Sequence, residues 1–79
     1  MIVVEVRLSV ALREFLGFAQ SGALQVELTD PATLPDLYRW LNLVPEMVAF
    51  CTVNNRYPGA DYRLQTGDKL RIVARSVGG

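Results

Sequence analysis

The last eleven residues read Lys69-Leu70-Arg71-Ile72-Val73-Ala74-Arg75-Ser76-Val77-Gly78-Gly79, and they decide the fold. Leu70, Ile72 and Ala74 alternate with Lys69, Arg71, Val73 and Arg75. That period of two predicts a strand with one face in the core and the other towards solvent. A matching pattern opens the chain, where Ile2, Val4, Val6 and Leu8 alternate with Val3, Glu5 and Arg7. These two segments carry the strongest apolar faces. They are therefore expected to lie side by side at the centre of one sheet.

The intervening sequence supplies what covers that sheet. Ser9 is a helix N-cap, and Leu12, Phe15 and Leu16 follow at helical spacing with Arg13 and Glu14 outside. Gly17 can close this short helix in the left-handed conformation. After a loop at 18–23, Leu24, Val26 and Leu28 alternate with Gln25 and Glu27. That is a second strand, able to form a hairpin with the first. Asp30-Pro31 marks a break. Thr33 then caps a longer helix, with Asp36 placed to answer the cap. Leu34, Leu37, Tyr38 and Leu41 form its apolar stripe, Trp40 and Val44 flank it, and Pro45 is expected to stop it. Phe50 to Val53 reads as a brief strand. Asn54-Asn55 is a hairpin-turn signal, and Pro58-Gly59 and Gly67-Asp68 mark further turns. One amphipathic helix needs one sheet face to cover. The order thus predicts an α+β, β-grasp fold: a mixed sheet of about four to five strands on one main helix, with an extra short helix after the first strand. Residues 1–79 are expected to form a single domain, with 76–79 as a flexible tail.

Composition agrees with a small globular domain. Of 79 residues, 51% are hydrophobic and 20% charged, a balance that permits a core. Eight basic residues cancel eight acidic ones, so long-range attraction to nucleic acid or anionic membrane is not expected. The charge is unevenly placed, however. Residues 1–55 hold three arginines against six acids, and residues 56–79 hold five bases against two acids. That asymmetry has two readings, a basic strand and tail that meet an acidic partner or ordinary solvated strand faces. The apolar start, Met1 to Val4, is broken by Glu5 and Arg7, and it is read as neither a signal peptide nor a membrane span. Cys51 is the single cysteine, so no internal disulfide forms. A cytoplasmic protein is expected.

Counting removes most catalytic chemistry. The chain has no histidine, hence no imidazole base and no zinc site of cysteine and histidine. A lone cysteine without histidine makes no Cys–His nucleophile pair. Gly67-Asp68-Lys69 lacks the spacing of a phosphate loop. Cys51 sits in an apolar strand beside Val53 and reads as a core thiol, because a nucleophile needs a cation or helix start nearby. Trp40 and Tyr38 read first as helix packing. No catalytic and no metal-binding residue is assigned.

The tail offers different chemistry. Glycines can thread a tunnel too narrow for any side chain and tolerate almost any backbone angle. An α-carboxylate has a pKa of about 3.3–3.7 and is ionised at neutral pH. It is a poor electrophile until activated, for which adenylation suffices, with the ATP site on a partner. A frayed glycine terminus is the bland alternative.

Several stretches together resemble the MoaD/ThiS family of ubiquitin-like sulfur carriers. Ala11-Leu12-Arg13-Glu14 with Gly17 is similar to that family's first helix, and Thr33, Leu34 and Leu37 to the start of its main helix. Val53-Asn54 resembles its turn after the third strand. Leu64, Gly67-Asp68 and Leu70 resemble the approach to its last strand, and Val77-Gly78-Gly79 its terminus. The sequence departs at Leu8-Ser9, where the family often has two aromatics, and at Ala74-Arg75, where it often has two prolines. The nearest likeness is to the small subunit of molybdopterin synthase.

The resemblance implies a cycle and its partners. An E1-like adenylyltransferase uses ATP to adenylate Gly79, and a sulfur donor converts it to a thiocarboxylate. Ser76, Val77 and Gly78 insert with it into a large synthase subunit, in a heterotetramer of two small and two large chains. The outward sheet face, with Val3, Lys69, Arg71, Val73 and Arg75, is the expected docking surface. The chain itself is expected to bind no cofactor, nucleic acid or membrane. Other destinations stay open: tRNA thiolation, thiamine or cysteine synthesis, attachment of Gly79 to lysines as a modifier, or a plain interaction module with an inert tail.

Overall fold

In the computed structural model, which describes residues 1–17 and 22–75, the first and last strands are central neighbours. β1 (Ile2–Leu8) runs parallel to β4 (Lys69–Ala74), in register from Glu5 opposite Lys69 to Leu8 opposite Ile72. β2 (Ala23–Leu28) pairs antiparallel with the free side of β1, from Ile2 opposite Leu28 to Arg7 opposite Ala23. β3 (Val48–Val53) pairs antiparallel with β4, giving one four-stranded mixed sheet of order β2-β1-β4-β3. Parallel neighbours need a long crossover, and the crossover here carries α2 (Leu34–Leu41). This is the ubiquitin-like β-grasp arrangement, with α1 (Val10–Leu16) as the extra short helix.

The inner sheet face and the helices form one core. Val4, Val6, Val26 and Ile72 are fully buried, and Leu70, Leu12, Leu37 and Leu41 join them. Both helices begin as the sequence predicts. Ser9 caps α1, its Oγ accepting from the Leu12 N–H at 3.5 Å. Asp36 accepts from the Thr33 N–H at 2.8 Å and from Thr33 Oγ1 at 3.1 Å. These bonds, the backbone one first, hold the Asp36 carboxyl below the usual carboxylate range, and Arg39 pairs with it one turn on.

Three sequence expectations are corrected. Phe15 is 66% exposed rather than part of the α1 stripe, because a helix of seven residues turns only one narrow stripe inward. α2 ends before Pro45: Asn42 takes the left-handed conformation (φ 60°), and the N–H groups of Asn42 and Leu43 close on the carbonyls of Arg39 and Tyr38. Pro45 instead opens a 3-10 turn, Pro45–Met47. β3 starts two residues before Phe50 and contains a register shift between Val48 and Phe50.

The Asn54-Asn55 turn forms, with φ of 53° and 66°, and Val53 and Arg56 exchange backbone hydrogen bonds across it. Its larger role lies across the sheet. Asn54 Oδ1 accepts from the Lys69 N–H at 3.0 Å, and Asn54 Nδ2 donates to Asp68 Oδ1 at 3.0 Å. Asp68 Oδ2 also accepts from Tyr62 Oη at 2.7 Å and from the Gln65 N–H at 2.9 Å. The Asp68 carbonyl accepts from the Glu5 N–H at 2.9 Å. One side chain thus joins the β3 turn, the 59–67 loop and the start of β4, and its backbone adds β1. Asp68 is the one buried charged residue among the described residues, and its charge is satisfied by three donors.

Asp68→Ala should therefore cost about 2–3 kcal/mol, because it strands buried donors as well as removing their acceptor. Tyr62→Phe should cost about 1 kcal/mol. Urea unfolding of both variants checks the ranking. Equal stability of the Asp68 variant and the parent would remove Asp68 from this role.

Candidate functional site

The exit of the chain from the sheet is fixed from two sides. β4 ends at Ala74, whose N–H donates to Ser9 Oγ at 3.2 Å, while the Ser9 N–H donates to the Ile72 carbonyl at 3.0 Å. The cap of α1 is thereby also a fastening for the end of β4. One residue later the Arg75 N–H donates to the Met47 carbonyl at 2.8 Å. Helix cap and 3-10 turn together hold the end of β4 and Arg75 in place. The expected functional residues Ser76, Val77, Gly78 and Gly79 lie outside the described residues.

The expected docking residues share the sheet face turned away from the helices. Val3 and the β4 residues Lys69, Arg71 and Val73 alternate with the buried set, and Arg75 follows as an exposed residue just past the strand. Both valines of this outward face, Val3 and Val73, are half-buried rather than fully exposed. They also lie at opposite ends of the face. Glu5 is level with Lys69, so Val3 and Val73 are six residues apart along the strand direction, about 20 Å. The face is therefore not one apolar patch.

Its apolar end is at Val73. Phe50 stands opposite Val73 across β3 and β4, and its ring meets Tyr57 edge to face, 6.3 Å between centroids and 70° between planes. Phe50 is 40% exposed and Tyr57 76%. Sequence reasoning missed this pair, because Phe50 reads only as the start of a brief strand and Tyr57 lies beyond the turn. Alternation with the buried Cys51 and Val53 puts Phe50 outside, and the register shift between Val48 and Phe50 lets Val48 be buried as well. The core reading of Cys51 beside Val53 is the available signal. Trp40, half-exposed, belongs to α2 on the other side of the sheet.

Comparison with solved structures finds the same architecture. A Pyrococcus furiosus protein provisionally assigned as molybdopterin converting factor, subunit 1, superposes with TM-score 0.77 at 21% identity, covering 96% of this chain and 100% of that one. Small archaeal modifier protein 1 of Haloferax volcanii superposes with TM-score 0.74 at 17% identity, covering 96% and 100%. The Haloferax volcanii HVO 2177 protein gives TM-score 0.75 at 22% identity, covering 99% and 87%. At these identities the likeness establishes the ubiquitin-like fold. No protein-family model matches the sequence, and no curated protein matches it.

Side-chain chemistry in the body of the domain is quiet. The Cys51 thiol is buried, its Sγ lies 3.8 Å from the Thr52 carbonyl, and burial pushes it up to about 11. It is protonated at neutral pH, in keeping with a core thiol rather than a nucleophile. Tyr38, beside it, is pushed up to about 12, first by burial and then by Cys51. Among the described residues, no three acidic, histidine or cysteine side chains gather as a metal site, and no helix is long and apolar enough to cross a membrane.

The raised thiol has a consequence for stability. An exposed thiol, as in the unfolded chain, ionises near 9.0, and burial in the folded chain pushes Cys51 up to about 11. Its contribution is complete below pH 9 and drains away as pH rises towards 11, because only the unfolded state then releases the proton. Melting temperature should fall across that window, and Cys51→Ala should flatten the fall. A thermal-melt series from pH 7 to 11 on both proteins measures it.

Proposed function

We propose that the chain is a ubiquitin-like carrier that works through the carboxylate of Gly79. One observation carries the reading: a Val77-Gly78-Gly79 terminus follows a β-grasp strand whose end is held by Ser9 and Met47. A held origin with side-chain-free final residues suits delivery of a carboxylate into a narrow partner site. Among the described residues Cys51 is a buried, protonated thiol and no cluster of acidic residues forms a site, and in this reading activation falls to a partner. In the proposed cycle an E1-like enzyme binds ATP, and the Gly79 carboxylate attacks its α-phosphorus with loss of pyrophosphate. A hydrosulfide equivalent from a sulfur donor then displaces AMP and leaves a thiocarboxylate. The finer reading is that Gly79 gives this sulfur to the pterin precursor of the molybdenum cofactor and returns as carboxylate. In that reading the chain is the small subunit of a molybdopterin synthase, working in the cytoplasm with Ser76, Val77 and Gly78 inside the large subunit. The similarity to the Pyrococcus furiosus converting-factor subunit supports it.

The similarity to a small archaeal modifier supports a second reading, in which the adenylated Gly79 forms an isopeptide bond with a lysine of another protein. Both readings use the same terminus and the same activating chemistry. They part at the nucleophile that displaces AMP, sulfide in one case and an amine in the other.

Intact mass of the protein from its native cells, with the C-terminal peptide sequenced, separates them. Sulfur in place of one oxygen at Gly79 establishes the carrier, and denaturation-resistant conjugates ending in Gly79 establish the modifier. An unaltered carboxylate after incubation with ATP, an E1-like enzyme and a sulfur donor defeats both. The docking surface is tested separately. Val73 is half-buried on the outer face, so Val73→Asp should keep the fold and weaken binding to the activating enzyme about tenfold. Unchanged affinity by titration calorimetry would move the interface elsewhere.

A further inference from the structure

The outer face of β1 and β4 holds a ladder of cations. Arg7 and Arg71 are direct neighbours across the parallel strands, and Lys69 lies one step back on the same face. With Arg13 they line an open groove of about 770 Å³ in which Glu5 is the one acidic side chain. Glu5 is level with Lys69 and lies 3.9 Å from Arg7 Nε, so it partly offsets the charge of Arg7. Asp68, next to Lys69 in sequence, turns its carboxylate inward to Asn54, Tyr62 and Gln65. Like charges abreast in a sheet repel. Arg7 and Arg71, both exposed, gain most from an anion brought by another molecule.

The spacing specifies that anion. Alternate residues of a strand are about 6.6 Å apart on one face, and neighbouring strands about 4.8 Å apart. Lys69 and Arg71 thus repeat at the interval at which alternate side chains leave an extended peptide. The next step along the ladder is Val73, with Phe50 opposite it and Tyr57 against Phe50. We propose that this groove binds an extended acidic segment of a partner protein, of pattern acidic-x-acidic-x-apolar. Its carboxylates meet Lys69 and the Arg7–Arg71 pair, and its apolar side chain meets Val73, Phe50 and Tyr57. The inference rests on the docking role given above to the outer face and adds the chemistry of what docks. A nucleic acid fits less well: the whole chain has no net charge, and a neutral protein gives little long-range attraction to a polyanion.

The test is an NMR titration of the full-length, ¹⁵N-labelled chain with a synthetic peptide, acetyl-Glu-Ala-Glu-Ala-Leu-amide. The controls are the same peptide with lysine for glutamate, and oligo(dT). Saturating shifts confined to Arg7, Lys69, Arg71, Val73 and their strand neighbours are expected from the glutamate peptide, with none from the lysine peptide. Arg71→Glu should weaken binding about tenfold, and Arg7→Gln severalfold. The Arg71 variant gives Arg7 an opposite charge beside it, and a native-like spectrum confirms its fold. Absence of saturating shifts, shifts elsewhere, an Arg71 variant with parental affinity, or equal binding of oligo(dT) at this face would overturn the proposal. A chain lacking Gly78 and Gly79 should bind the peptide unchanged while losing all sulfur loading. Failure of the groove and failure of the carrier reading are thus seen separately.

Discussion

The parallel pairing of β1 with β4 is the constraint on which the rest of the molecule depends. Two strands at the ends of the sequence become neighbours, and parallel strands cannot be joined by a tight turn. Everything between them must leave the sheet and return. That excursion delivers α2 to one face and leaves the other face bare. The inner sides of the two strands, Val4, Val6, Leu70 and Ile72, are all but inaccessible to water, so the pairing is fixed by core burial as well as by backbone bonds. A slip of one residue would exchange core and surface on the strand that slips. Asp68 works against such a slip from the loop side, since its backbone reaches Glu5 and its side chain reaches Asn54.

Much of this frame is legible in the sequence because it follows from local periodicity. The alternations at 2–8, 24–28 and 69–72, the Ser9 and Thr33 caps and the left-handed Gly17 and Asn54-Asn55 positions all depend on near neighbours in the chain, and all appear in the structure; past Ile72 the pattern fades, with Val73 and Ala74 both half-buried and β4 ending at Ala74. What escapes the sequence depends on distant partners. Asp68 reads as a turn residue, and only the fold brings Asn54 and Tyr62 to its carboxylate. Phe50 reads only as the start of a brief strand, and its partners Val73 and Tyr57 come from the fold. α2 stops earlier than Pro45 signals, because Asn42 already takes the left-handed conformation that ends the helix, and asparagine is a weaker sequence signal than proline.

The candidate site divides in the same way. The cations of β4 and the glycines that follow are visible in the sequence. Two features need coordinates: the abutment of Arg7 on Arg71, and the double fastening of the β4 end by Ser9 and Met47. Ser9 is informative here because one hydroxyl serves helix and strand together. It accepts from the Leu12 and Ala74 amides, so the start of α1 and the end of β4 are mechanically one piece.

The direction of the central strands also sets the polarity of the whole domain. Because β1 and β4 run the same way, Met1 sits at one pole, beside Thr29, and Arg75 reaches the other. β1 alone advances about 23 Å over its seven residues, most of the way along a body whose longest extent is 36 Å. A label, tether or second domain fused ahead of Met1 therefore emerges far from both the chain exit and the Val73–Phe50–Tyr57 end of the face. The domain can be held from one pole while the other is left clear, which makes the N-terminal side the natural point for immobilisation or fusion.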